Sequence, residues 1–79
     1  MDQETRITQC DMILQYMRRH GGITQREALE TFGCARLASR IFDLRQRGYS
    51  IKSIPIIKRY EFMGKPFVVR FARYELEAV

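Results

Sequence analysis

The run Ile23-Thr24-Gln25-Arg26-Glu27-Ala28 carries the sharpest local signal in the chain. Thr24 and Glu27 have capping-box spacing: the threonine hydroxyl accepts the N–H of the third helical residue, whose carboxylate accepts the threonine N–H. Ile23 precedes the cap and can staple onto Ala28 at the fourth helical position. A helix is therefore predicted over about 25–32, with Ala28, Leu29 and Phe32 as its apolar positions and Gly33 as its end. Two turns do not hold alone in water, so this helix must pack on something else.

On the C-terminal side, Cys34 and Ala35 make a short turn. A third helix is predicted over about 36–47, with Leu37, Ile41 and Leu44 at helical spacing and Gly48 closing it. Two helices joined by so short a turn read as a helix-turn-helix. On the N-terminal side, Cys10, Ile13, Leu14 and Met17 fall at i, i+3, i+4 and i+7, one apolar stripe. Thr8 and Asp11 resemble a capping box with aspartate in place of glutamate, and Gly21-Gly22 stops the helix, giving a first helix over about 8–20. Met12 and Tyr16 lie at the margin of that stripe.

After Gly48 the period changes. Tyr49 to Tyr60 is rich in isoleucine, Met63-Gly64-Lys65-Pro66 is a turn signal, and Phe67 to Tyr74 is β-prone. This predicts a two-stranded antiparallel hairpin over about 51–76. Pro55 cannot donate to a ladder, so its strand is either bulged there or turns that edge outward. Phe62, Phe67 and Phe71 are read as core rather than as base-stacking platforms, although aromatics interleaved with basic residues also suit single-stranded nucleic acid. The whole reads as one α+β domain over residues 1–79, three helices followed by a hairpin.

The 79 residues include 14 Lys+Arg against 9 Asp+Glu, a formal charge of +5. That charge is uneven. Residues 1–35 hold four arginines against five acids, residues 36–73 hold ten cations against two acids, and the last six residues add two glutamates. A field concentrated in this way attracts polyanions and releases their counterions on binding, although a solvated basic face needs no partner. No apolar run approaches the roughly 18–20 residues of a membrane span. Met1 to Arg6 is polar and does not read as a secretory signal. Cys10 and Cys34 are too few for a disulfide scaffold, so the expected setting is a reducing cytoplasm.

The order helix, helix-turn-helix, hairpin resembles the winged helix-turn-helix superfamily, and is most similar to the small helix-turn-helix proteins of bacteriophages and prophages. Ile23-Thr24, Glu27-Ala28-Leu29, Phe32-Gly33-Cys34 and Arg36-Leu37-Ala38-Ser39-Arg40-Ile41 carry the resemblance. It continues through Asp43-Leu44-Arg45, Gly48-Tyr49 and Ile51, and returns in Ala72-Arg73-Tyr74-Glu75-Leu76. Compared with regulator-type members, Leu37, Ile41 and Leu44 arrive two residues early after Gly33, so the turn is tighter. The resemblance implies a non-enzymatic protein that binds double-stranded DNA in a sequence-directed way. Transcription regulation, or an architectural role in recombination or excision, would be its task.

In that reading the third helix lies in a major groove and presents Arg36, Ser39, Arg40, Asp43, Gln46 and Arg47. Arg36 and Arg40 suit guanine O6 and N7, Ser39 is a weaker reader, and Arg47 touches phosphate. Asp43 would repel phosphate and is read as a buttress for Arg40 or Arg47, each within one turn. Thr24 and Gln25 open the second helix, whose free N–H groups and positive end can hold a backbone phosphate. Lys58, Arg59, Lys65 and Arg70 on the hairpin would grip the backbone or enter the minor groove, or equally serve as solubilising charge on edge strands.

Catalytic and metal chemistry find little support. His20, the one histidine, stands beside a helix end, where a capping role is expected, and Cys10, Cys34 and His20 have no zinc spacing. Ser39 and Ser50 lack a base with an orienting carboxylate, and no glycine-rich phosphate loop is present. No cofactor or metal is expected. Ile54, Ile56 and Ile57 leave apolar surface to hide, which keeps a homodimer open. A competing reading is a protein-interaction module of phage origin that binds or inhibits a host protein.

Overall fold

The computed structural model describes residues 7–77; Met1 to Arg6, whose polarity counted against a secretory signal, lie outside the described residues, as do Ala78 and Val79. The elements follow in the order α1 (Gln9–His20), β1 (Ile23–Thr24), α2 (Gln25–Phe32), α3 (Leu37–Gln46), β2 (Ile51–Phe62) and β3 (Lys65–Leu76).

Both expected capping boxes form. Thr8 Oγ1 accepts the Asp11 N–H at 3.2 Å while Asp11 Oδ2 accepts the Thr8 N–H at 3.0 Å. Thr24 and Glu27 repeat the exchange at 3.2 and 2.9 Å. Each box satisfies donors that the helix itself leaves without partners. At the other end of α1, Gly21 takes the left-handed conformation, φ 87°, and donates its N–H to the Met17 carbonyl at 2.8 Å.

The core is the set of side chains that these helices turn toward one another. Cys10, Ile13, Leu14 and Met17 of α1 meet Leu37, Ile41 and Leu44 of α3, with Ala28, Cys34, Ile23 and Ile51 closing the cluster. Each fully buried Ile, Leu or Met contributes about 1.5–3 kcal/mol relative to exposure. The short α2 is held mainly by this packing. Of its expected apolar positions, Ala28 is buried and Phe32 packs on the cluster, but Leu29 is 53% exposed.

The sheet has three strands rather than two, in the order β1-β3-β2. Ile23 pairs with Tyr74 and Thr24 with Arg73, so the two residues before α2 also tie the helices to the hairpin. Gly22 makes this approach possible. A Cβ there would lie 2.8 Å from both the Tyr74 carbonyl oxygen and Arg73 Nε.

β2 and β3 pair without interruption from Ile51↔Leu76 to Phe62↔Lys65. Met63 and Gly64 close the hairpin, both at positive φ (52° and 77°), the signature of a two-residue type I′ turn. Such a turn makes Phe62 and Lys65 a hydrogen-bonded pair, so the even-numbered residues of β2 bond to β3 and the odd ones face away. Pro55 is odd-numbered and paired with Ala72, without a bulge. Its missing N–H therefore falls on the free edge of β2, where nothing requires it.

The expectation that Phe62, Phe67 and Phe71 sit in the core is not met. Phe62 is 67% and Phe67 45% exposed, and Phe71 is half-buried outside the core cluster. The cause is length. The hairpin runs on past the three helices, so its far end has no layer to pack against.

Candidate nucleic-acid interface

α3 turns Leu37, Ile41 and Leu44 inward, each at most 1% exposed. With 3.6 residues per turn, the opposite side is centred on Ser39 and Gln46. Phe42 lies beside them and is 60% exposed. Arg36, Arg40, Asp43 and Arg47 form a row at i, i+4, i+7 and i+11 along one flank. Arg36 is the N-cap rather than a helical residue, with φ −128° and no side-chain capping bond.

Asp43 does hold Arg40, at 3.2 Å, and both side chains are near 40% exposed, so the pair adds little stability while fixing Arg40's direction. The same flank faces the start of α1. There the Thr8 backbone and side-chain hydrogen bonds hold the Asp11 carboxyl below the usual carboxylate range, with a smaller contribution from the Arg47 charge.

The other flank of α3 carries a residue that the sequence analysis did not single out. Arg45 donates from Nε and Nη2 to the Ile51 carbonyl at 3.0 and 2.7 Å, and from Nη2 to Ser53 Oγ at 3.2 Å. It clamps the base of the hairpin to the helix.

At the start of α2, the Thr24 hydroxyl is engaged in the capping box. The Gln25 side chain bridges the helix-turn-helix internally: Nε2 donates to the Cys34 carbonyl at 2.7 Å and Oε1 accepts the Leu37 N–H at 2.8 Å. What this end offers a phosphate is therefore backbone, the N–H groups of Gln25 and Arg26. Thr24, Gln25, Arg26 and Glu27 face Lys58, Tyr60, Phe71 and Arg73 across an open cleft of about 560 Å³.

The hairpin cations do not form one patch. Side chains alternate between faces, and directly paired residues share a face. With Phe62↔Lys65 and Ile57↔Arg70 in register, Lys58 and Lys65 lie on the cleft side and Arg59 and Arg70 on the other. All four are exposed. Along the cleft side Tyr60 stacks on Phe67, with ring centroids 5.4 Å apart.

Cys10 and Cys34 are buried free thiols, and among the described residues no group of three or more His, Cys, Asp or Glu is placed to hold a metal. His20 ends α1; its ring lies 4.3 Å from Tyr16, and its carbonyl accepts from Arg73 Nη2 at 3.2 Å. Among the described residues no helix is long and apolar enough to cross a membrane.

Three helices, the second and third joined by a four-residue turn, followed by a hairpin whose base is clamped to the third, define a winged helix-turn-helix. The chain belongs to the winged helix-turn-helix domain family, which it matches over residues 8–78. Domains of this kind are typically non-enzymatic DNA-binding modules. No curated protein and no solved structure matches the chain.

Proposed function

We propose that this chain is a double-stranded DNA-binding protein of phage or prophage type, sequence-directed, and acting in transcription regulation or as an architectural protein in recombination or excision. The observation that supports this most is the distribution of charge around α3. Arg36, Arg40 and Arg47 line one flank, the open end of α2 faces Lys58 across the cleft beneath the wing, Lys65 continues on that side, and Arg59 and Arg70 add charge on the wing's other face. In this reading α3 enters the major groove while its flanking arginines, the α2 start and the wing meet phosphates on either side. Location in the cytoplasm, on the nucleoid, follows from that role.

The test is fluorescence anisotropy with random-sequence duplex DNA across a salt series. Affinity should fall steeply with salt, and a Lys65→Ala, Arg70→Ala double variant should lower both affinity and the salt slope without changing sequence preference. Absence of duplex binding at low salt overturns the reading.

A second reading rests on a different observation. Tyr60, Phe62, Phe67 and Val69 are exposed together on the cleft face of the wing, with Met63 at its tip and Ile57 and Val68 exposed on the other face, apolar surface of the kind that marks a docking site. A homodimer or a host protein docking there would cover it. Sedimentation at micromolar concentration tests the dimer, and an interface of this kind would respond to Phe67→Ala far more than to salt.

A further inference from the structure

We infer that Phe42 is a base-reading residue whose ligand is the C5-methyl group of a thymine in the major groove. The inference rests on the duplex-binding reading above and goes beyond it by naming the chemical group that is read.

Phe42 stands out of phase with the apolar stripe of its own helix. At about 100° per residue it lies roughly 130° from the centre of the stripe made by Leu37, Ile41 and Leu44. Its neighbours on the helix surface are Ala38, Ser39, Arg45 and Gln46, none of them buried. An isolated exposed aromatic is ordinary on a protein surface. Its placement is what matters here. Positive charge stands to either side of it, the Arg36–Arg40–Arg47 row on one flank and, on the other, the Arg45 guanidinium held against the Ile51 carbonyl at the hairpin base.

A helix with its side chains is about 10–12 Å across, which fits a major groove about 12 Å wide. With both flanks positive and the groove walls built of phosphate, charge complementarity orients the helix so that the row between the flanks meets the base edges. The one apolar group that the base pairs present there is the thymine methyl. Gln46, one turn beyond Phe42, has the side chain suited to adenine N6 and N7, so the centre of this face is matched to A·T pairs. Arg40, expected from the sequence as a guanine reader, stands on the flank beside this face, paired with Asp43 at 3.2 Å.

The experiment first selects the preferred duplex from a random pool, then replaces its thymines one at a time with deoxyuridine, which removes only the methyl group. Anisotropy titrations of the wild-type protein should show about a fourfold loss at one or two positions, the worth of one buried methyl. The Phe42→Ala variant should bind more weakly and lose that discrimination, giving equal affinity for the thymine and deoxyuridine duplexes. The wild-type titration needs no variant, and circular dichroism checks that Phe42→Ala keeps its helices. Duplex binding that is indifferent to every substitution, a selected site without thymine, or an unchanged thymine-to-deoxyuridine ratio in Phe42→Ala overturns the inference and leaves the DNA-binding reading standing. No duplex binding at all overturns both.

Discussion

Gln25 Oε1 accepts the backbone N–H of Leu37 at 2.8 Å, so the first residue of α2 caps the first residue of α3 from twelve positions away. The same amide donates to the Cys34 carbonyl in the intervening turn at 2.7 Å. Arg36, at the N-cap position, has no side-chain capping bond, so Gln25 takes over that duty. Gln25→Ala is expected to destabilise the fold by about 1–2 kcal/mol, the range for a lost cap and a half-buried polar bond. Urea unfolding measures it; a change under a few tenths would mean that water replaces the amide.

The clamp at the wing base gives a second expectation. Arg45 makes two bonds to the Ile51 carbonyl, yet the residue itself is exposed, so its worth is discounted for solvent screening. Arg45→Ala should cost about 1 kcal/mol and raise amide exchange along β2 more than along α1. Uniform acceleration across the protein would show that the clamp acts on global stability rather than on the wing.

Met63 occupies a left-handed position, φ 52°, at which asparagine or glycine is ordinarily found, and it is 86% exposed. Met63→Asn should therefore stabilise the hairpin, by about 0.5–1 kcal/mol, through relief of backbone strain. A raised urea midpoint at unchanged slope is the expected result; a lowered one would show that the methionine packs against something in solution.

The Asp11 carboxyl, lowered by its bonds to Thr8, makes the start of α1 acid-sensitive. A carboxylate with a depressed folded pKa contributes its full stability above the unfolded value of about 3.9 and loses it as pH falls through the lower folded value. Carbon-detected NMR titration should find Asp11 below that reference, and Asp11→Asn, which leaves no carboxyl there to protonate, should remove the acid sensitivity of the α1 start. A titration at or above the reference would remove the capping role.

What could be read from the chain follows the range of the interaction. The boxes at Thr8/Asp11 and Thr24/Glu27 join residues three apart, so spelling alone identifies them. The stripes that bury Met17 and Ile41 are equally local in origin. Ile23 and Thr24 make a strand only because β3 lies beside them, and two residues show no period to detect. Phe62 and Phe67 misled for a related reason: aromatic strand residues are core only where a second layer exists, and strand length relative to the helical body is not written locally. Of the candidate interface, Arg40 and Asp43 were paired by their spacing. The engagement of Gln25 and Arg45 depends on the turn and on the strand base, which no window on either residue contains.

The unbroken ladder also makes the wing a lever. Past the last residues that share the sheet with β1, the hairpin runs on from Pro55 to Phe62, about 24 Å at the usual rise per strand residue. A tilt of about 10° at its foot would swing the Met63–Gly64 tip by about 4 Å, comparable to the 6 Å width of a minor groove. Arg45 and the Gly22 contact with Tyr74 form the fulcrum. Under the duplex-binding reading, a stiff arm on a small pivot would let the tip adjust to grooves of differing width, with Arg45 passing part of each tilt on to α3.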